Sequence, residues 1–465
     1  MSGGPGAPLS KAMTAGRLFV LLAVIFGSLA WGFVPRMEAS GDEPHYLVMA
    51  QSLGREHDLD LRDNYAREDW REFRAAPTEP HYAAPRRDGR PFPGHAPGLP
   101  FLLAPVYAVG GRLACAILMG LMVAATGSLT FHLARREGLG SSASLVAGLA
   151  AAGPPLAAFG LHVYTEAAAT LSLFSAFALL RFGGRASTAA LAGGLACALP
   201  FLHPRMAVGA IAIAIAALLL RDRSPLLPFV GASVCGAALY AAFWMSIFGV
   251  PTGLGVYGGA PEDAAFDPGQ ALMGLLVDRA YGLLPYAPQF FALVLVGASG
   301  TALLKRGAPA RREGVVEIVF VAAVLLPVLF WRVWWGGQSP PARLIAPMTP
   351  FLALVLARVW DGPVVPAVRR FIGVALAWSW GLFLFAALQP GRLLFINKRV
   401  RPTRMWDALW PGGPFDALLP DMARPEASDW PLAIGWMAGL VILGLVVRRR
   451  GTPVVDEPFA AGPTA

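Results

Sequence analysis

Asp42 and Glu43 stand side by side in GDEPHYL, residues 41–47, and lead the candidates for chemistry in this chain. A positioned carboxylate can take a proton from an attacking hydroxyl. On an extended backbone adjacent side chains point to opposite sides, so one acid would face a substrate while the other orients the loop. The plainer alternative is an acidic helix start, DEP ahead of an amphipathic run. Glu166, in HVYTE, is a second acid, at the edge of a long apolar run. Acids at membrane depth tend to face cavities, although a helix-start charge would also suit this position. Arg332 and Arg343 bracket VWWGGQSPPA, and Arg205 follows HP. A guanidinium suits bidentate phosphate binding, whereas snorkelling is its ordinary use at a membrane surface. His45, Tyr46, His95, His162 and Tyr164 are the candidates for shaping a substrate pocket around these acids. Asp58, Asp60, Asp63, Glu68 and Asp69 are interspersed with arginines and read as a solvated face.

These residues must be held by membrane helices. The 465 residues are 56% hydrophobic and only 14% charged, and apolar runs of about 17–25 residues recur, each able to cross a hydrocarbon core of roughly 30 Å. Backbone amides in lipid must be paired within each segment, so the expected fold is an all-α polytopic bundle. The net charge of +9 comes from short arginine blocks between apolar runs, a pattern set by topology rather than by nucleic-acid binding. Cys115, Cys197 and Cys235 lie far apart in apolar segments and imply neither a disulfide framework nor a metal site. No Walker-type phosphate loop is present, which argues against an ATP-driven pump.

The charge blocks also set the topology. A tail at 1–16 precedes a first crossing at 17–34, and a polar loop then runs through 35–111. The stretch 97–111 is short and interrupted by Pro100 and Pro105, so it reads as interfacial or re-entrant. With the bundle starting at Arg112 and continuing to residue 448, every basic block at a helix end falls on the cytoplasmic side. About twelve crossings result, with both termini inside (the second tail at 449–465) and further outer loops at 250–285 and 389–430. Six of the seven histidines, His45, His57, His81, His95, His162 and His203, then lie outside, and His132 lies at the inner end.

Together these features resemble the GT-C superfamily of membrane glycosyltransferases, in particular its protein O-mannosyltransferase and aminoarabinose transferase branch. The resemblance rests on the acidic motif in GDEPHYL after the first helix, the Pro-rich HAPGLPFLLAPVYAVGG before the second crossing, and the bundle that follows. It implies that Asp42 is the catalytic acid, with Glu43 beside it. Glu166 matches by position a second acid that is more often Asp in the family, and the arginine of SPPARLIAPMTP, Arg343, matches residues on the donor phosphate. The implied activity is transfer of a sugar, with inversion, from a polyprenyl-phosphate donor to a lipid, glycan or protein hydroxyl at the outer face of the inner membrane. No cofactor is required by the resemblance. A Mg or Mn ion shared by Asp42 and Glu166 would suit hard carboxylate ligands. Two other classes share the topology: a secondary transporter, which would place its ionisable groups near the midplane of two related halves, and a polymerase or ligase of lipid-linked glycans.

Overall fold

The computed structural model describes residues 13–253, 267–293, 308–362, 364–390 and 403–450. No strand forms among them; an isolated antiparallel bridge joins Tyr82 to Pro93. The helices run α1 (Ala15–Phe33), α2 (Glu43–Arg55), α3 (Gly98–Arg136), α4 (Ser141–Ala152), α5 (Thr165–Phe182), α6 (Ala186–Leu202), α7 (Ala207–Leu219), α8 (Leu226–Phe248), α9 (Pro268–Val277), α10 (Ala308–Leu329), α11 (Thr349–Asp361), α12 (Pro366–Leu388) and α13 (Asp429–Arg450). Short helical turns connect them.

Among the described residues, seven segments are long and apolar enough to cross a membrane: those of α1, α3, α5, α8, α11 with the turn before it, α12 and α13. The difference from twelve has local causes. The crossing expected over 142–163 stops at Ala152, because Gly153 leaves the helical region and Pro154 and Pro155 follow; the chain resumes as a 3-10 turn, Leu156–Gly160. Helices α4, α6, α7 and α9 are apolar but shorter. The eighth expected crossing, both tails and parts of the two later outer loops fall largely outside the described residues. Large apolar side chains cover the outside of the bundle, among them Val24 and Trp31 on α1, Leu227 and Leu239 on α8 and Ile442 on α13. A surface of this kind suits lipid, and the chain is a multi-pass membrane protein.

Helix α1 buries the stripe Leu18, Leu22, Phe26, Ala30 and Phe33. Small residues let its neighbours approach closely: a Cβ at Gly127 of α3 would lie 2.8 Å from the Gly148 carbonyl of α4 and 3.0 Å from Leu22. Such small-residue seams are how membrane helices gain packing contact. Helix α3 is broken at Gly110 and Gly111, where φ is −146° and +56°, so 98–109 and 112–136 are separate helical stretches.

Helices α5 and α11 carry one cluster of ionic groups at each end. At their C-terminal ends, Arg358 bonds both Glu137 (2.7 and 2.8 Å) and Glu317 (2.6 Å), while Arg181 bonds Glu137 at 2.5 Å and also pairs with Glu313. The network ties α3, α5, α10 and α11 together. Removing one partner of a buried ion pair leaves an uncompensated charge and costs about 3–5 kcal/mol. Arg358→Met is therefore expected to lower the unfolding temperature of the purified protein markedly; an unchanged transition in detergent would mean that the cluster is solvated and not structural.

Candidate active site

At the opposite ends of α5 and α11, roughly 22 Å of helix away at 1.5 Å per residue, four charged groups converge. Arg343 opens the turn Arg343–Met348 that leads into α11, after Ala342 at a φ of +52°. Its guanidinium donates to Asp42 at 2.6 Å, to Glu166 Oε1 at 2.9 Å and to the Gly336 carbonyl at 3.1 Å, and it lies 4.5 Å above the Tyr164 ring. Arg205, in the turn between α6 and α7, donates to the same Glu166 oxygen at 2.9 Å and to the Leu344 carbonyl at 2.7 Å. Glu166 is fully buried, whereas the Asp42 side chain remains 32% exposed. Asp42 is thus the member of the cluster that a substrate can reach.

The backbone explains why Asp42 faces this way. Gly41 adopts a left-handed turn, with φ +63°, where a Cβ would stand 2.1 Å from the Tyr164 hydroxyl and 2.6 Å from the Gln338 carbonyl. The Asp42 amide then donates to the Tyr164 hydroxyl at 3.2 Å, and that hydroxyl donates to the Ser40 carbonyl at 3.1 Å. Asp42 occupies the N-cap position of α2, but its carboxylate makes no cap and goes to Arg343 instead. The extended backbone expected for the acidic pair is corrected here. Helix α2 starts at Glu43, with Pro44 in its first turn, and the acids diverge because successive helical residues are rotated by about 100°.

Glu43 accordingly belongs to a second, fully buried cluster. It accepts from Arg112 at 2.9 Å and meets His162 Nδ1 at 3.1 Å, while Arg112 also donates to the Val34 and Met37 carbonyls. His162 packs edge-on against Phe33, 5.1 Å between ring centres. This cluster clamps α2 to the end of α1 and to the break in α3. Burial pushes the Glu43 carboxyl up, but the Arg112 charge and the His162 contact outweigh it and hold it at about 2, below the ordinary 4.5. A depressed folded-state value means that the stability contributed is complete above pH 4.5 and is lost as pH falls toward 2, on the order of 3 kcal/mol. Unfolding measured from pH 7 to pH 3 should therefore be flat to about pH 5 and then weaken. A curve already sloping at pH 6, and equally so in Glu43→Gln, would remove Glu43 as the cause.

His45, Tyr46 and His95 form a third group. His45 Nδ1 meets the Tyr65 hydroxyl at 3.0 Å, its ring stacks 5.1 Å from that of His95, and the buried Tyr46 ring lies 5.0 Å from His95. Asp42 lies within electrostatic reach. Burial raises its carboxyl, but Arg343 first, then His95 and His45, outweigh that and keep it well below the usual carboxylate range. Arg332 sits half-buried in the turn after α10, and the ion pairs to the two acids come from Arg343 and Arg205. Asp42 and Glu166, the expected Mg or Mn ligands, share the Arg343 guanidinium, and a cation between them would have to displace it.

Sequence reasoning missed Arg112, Gly41 and Tyr65. Arg112 carried a signal, an arginine inside an apolar stretch just after a Gly–Gly pair; Gly41 and Tyr65 carried none, since their importance lies in contacts made after folding.

Two solved structures are similar over almost the whole chain. ArnT from Cupriavidus metallidurans bound to undecaprenyl phosphate is 14% identical, and the match covers 93% of this chain and 77% of that one with a TM-score of 0.52. The same protein in the apo state is 16% identical, with coverage of 92% and 76% and a TM-score of 0.51. No protein-family model and no curated protein matches the chain.

Proposed function

We propose that this protein transfers a sugar from a polyprenyl-phosphate donor to an acceptor hydroxyl at the outer membrane face, by direct displacement with inversion. The observation that carries the reading is the shared guanidinium: Arg343 holds the partly exposed Asp42 at 2.6 Å and the buried Glu166 at 2.9 Å, with Arg205 beside it. The undecaprenyl phosphate bound to the similar ArnT supports a lipid phosphate as donor. In the substrate-free state Asp42 is a poor base, because its charge is neutralised by Arg343. A donor phosphate competes for the same guanidinium. Once Arg343 turns to the phosphate, Asp42 loses its strongest stabilising partner and becomes the better proton acceptor.

The acceptor oxygen then bonds to the anomeric carbon from the side opposite the phosphate. The bond from that carbon to the phosphate oxygen breaks with its electron pair going to the phosphate, and the acceptor proton passes to Asp42. Arg343 and Arg205 stabilise the charge that develops on the leaving phosphate, which needs no strong general acid. Glu166 is assigned as the residue that aims both arginines, not as a base. Its buried carboxylate is already shared between them. Native mass spectrometry tests the donor assignment. Polyprenyl phosphate should remain bound to the wild-type protein and be lost from Arg343→Ala; equal retention by both would end this reading.

A further inference from the structure

We infer that His45, His81 and His95 form a binding site for one divalent transition-metal cation of the zinc class. One nitrogen from each ring lies within 4.8 Å of the others, and among the described residues this is the only such grouping of three potential ligands. His81 Nδ1 and His95 Nε2 are 3.0 Å apart. Two nitrogens on one tetrahedral zinc, each at 2.0–2.1 Å, would be about 3.3 Å apart, so a small opening of the pair admits the ion. Imidazole donors select zinc, copper, nickel or iron over magnesium. The site therefore differs in chemistry as well as in ligands from a carboxylate site at Asp42 and Glu166.

The surroundings are those of a built site. The Tyr82–Pro93 bridge, with Gly94 N–H donating to the His81 carbonyl at 2.7 Å and Ala83 N–H to the Phe92 carbonyl at 2.8 Å, sets His81 and His95 side by side. Gly94 has no side chain where one would intrude, since a Cβ there would lie 3.0 Å from the His81 ring. The Tyr65 hydroxyl on His45 Nδ1 orients that ring and leaves its Nε2 for a ligand bond, the usual arrangement around a metal-bound histidine. Three protein nitrogens leave a tetrahedral cation one position for water or a substrate oxygen.

The test uses the full chain, free of any polyhistidine tag, in detergent and without donor lipid, so its outcome is independent of the transfer reaction. Titration with Co2+ should give visible d–d absorption saturating at one ion per chain and abolished by added Zn2+. His81→Ala, at an exposed residue whose loss does not threaten the fold, should remove the absorption, as should His95→Ala. Tyr65→Phe should weaken binding by about 10–100-fold, and His132→Ala, on α3 and outside this cluster, should leave it unchanged. If the wild-type protein gives no absorption, or His81→Ala binds Co2+ as tightly as wild type, the site is not a metal site.

Discussion

Asp42→Asn is expected to abolish sugar transfer, with kcat falling by about 10²–10⁴-fold, the usual contribution of a positioned general base, while the protein keeps its fold and still binds the donor. Asn has the same shape and caps helices as well as Asp, and the Asp42 side chain is partly exposed and makes no cap to lose. Its amide cannot take a proton. The variant also separates binding from chemistry. Under the proposed mechanism Asp42 and the donor phosphate compete for Arg343, so removing the Asp42 charge should leave polyprenyl phosphate bound at least as tightly as in wild type. A collapse in kcat with undiminished donor affinity marks a group that acts in the transition state. Transfer at the wild-type rate in the Asn variant would remove Asp42 from the reaction; donor binding weakened in step with rate would point to a phosphate-site defect.

Arg343→Lys should cost about 10²–10³-fold in kcat and also weaken donor binding. The guanidinium serves Asp42, Glu166 and the Gly336 carbonyl from three nitrogens while its carbon lies 4.5 Å over the Tyr164 ring. An ammonium is a point charge that cannot reproduce this fork. Because Glu166 keeps Arg205 as a partner, the substitution should leave the buried acid paired and the protein folded. Single-turnover kinetics at saturating donor measure the chemical step directly. Wild-type rates in the Lys variant would mean that any positive charge suffices, and the aligned phosphate clamp would have to be given up.

Much of this site could be read before folding. Asp42, Glu166, Arg205 and Arg343 stand at the same ends of their apolar segments. Charged groups are excluded from lipid, and the alternation of basic blocks sorts helix ends between two sides. Their convergence joins residues far apart in the chain, 177 positions between Glu166 and Arg343 and more between Asp42 and Arg343. The pairing itself was not legible. Glu43 stands next to Asp42 in the chain, yet one acid belongs to Arg112 and the other to Arg343, because a helix begins between them and turns their side chains apart. His81 showed only as one more outer histidine until the Tyr82–Pro93 bridge folded its loop against His95 and His45.

The sequence by itself determined that the chain is a membrane bundle, which residues could do chemistry, and that they gather toward one face, since hydrophobicity and charge act on each segment locally. Only the tertiary structure decided which acid meets which arginine, that Asp42 is the one left open to a substrate, and that three histidines close on one point. Those outcomes depend on the turn at Gly41, on where helices break, at Gly110 and Gly153, and on close packing that brings distant side chains within hydrogen-bond reach. Contacts of that range are set by the fold as a whole and leave no mark in local composition.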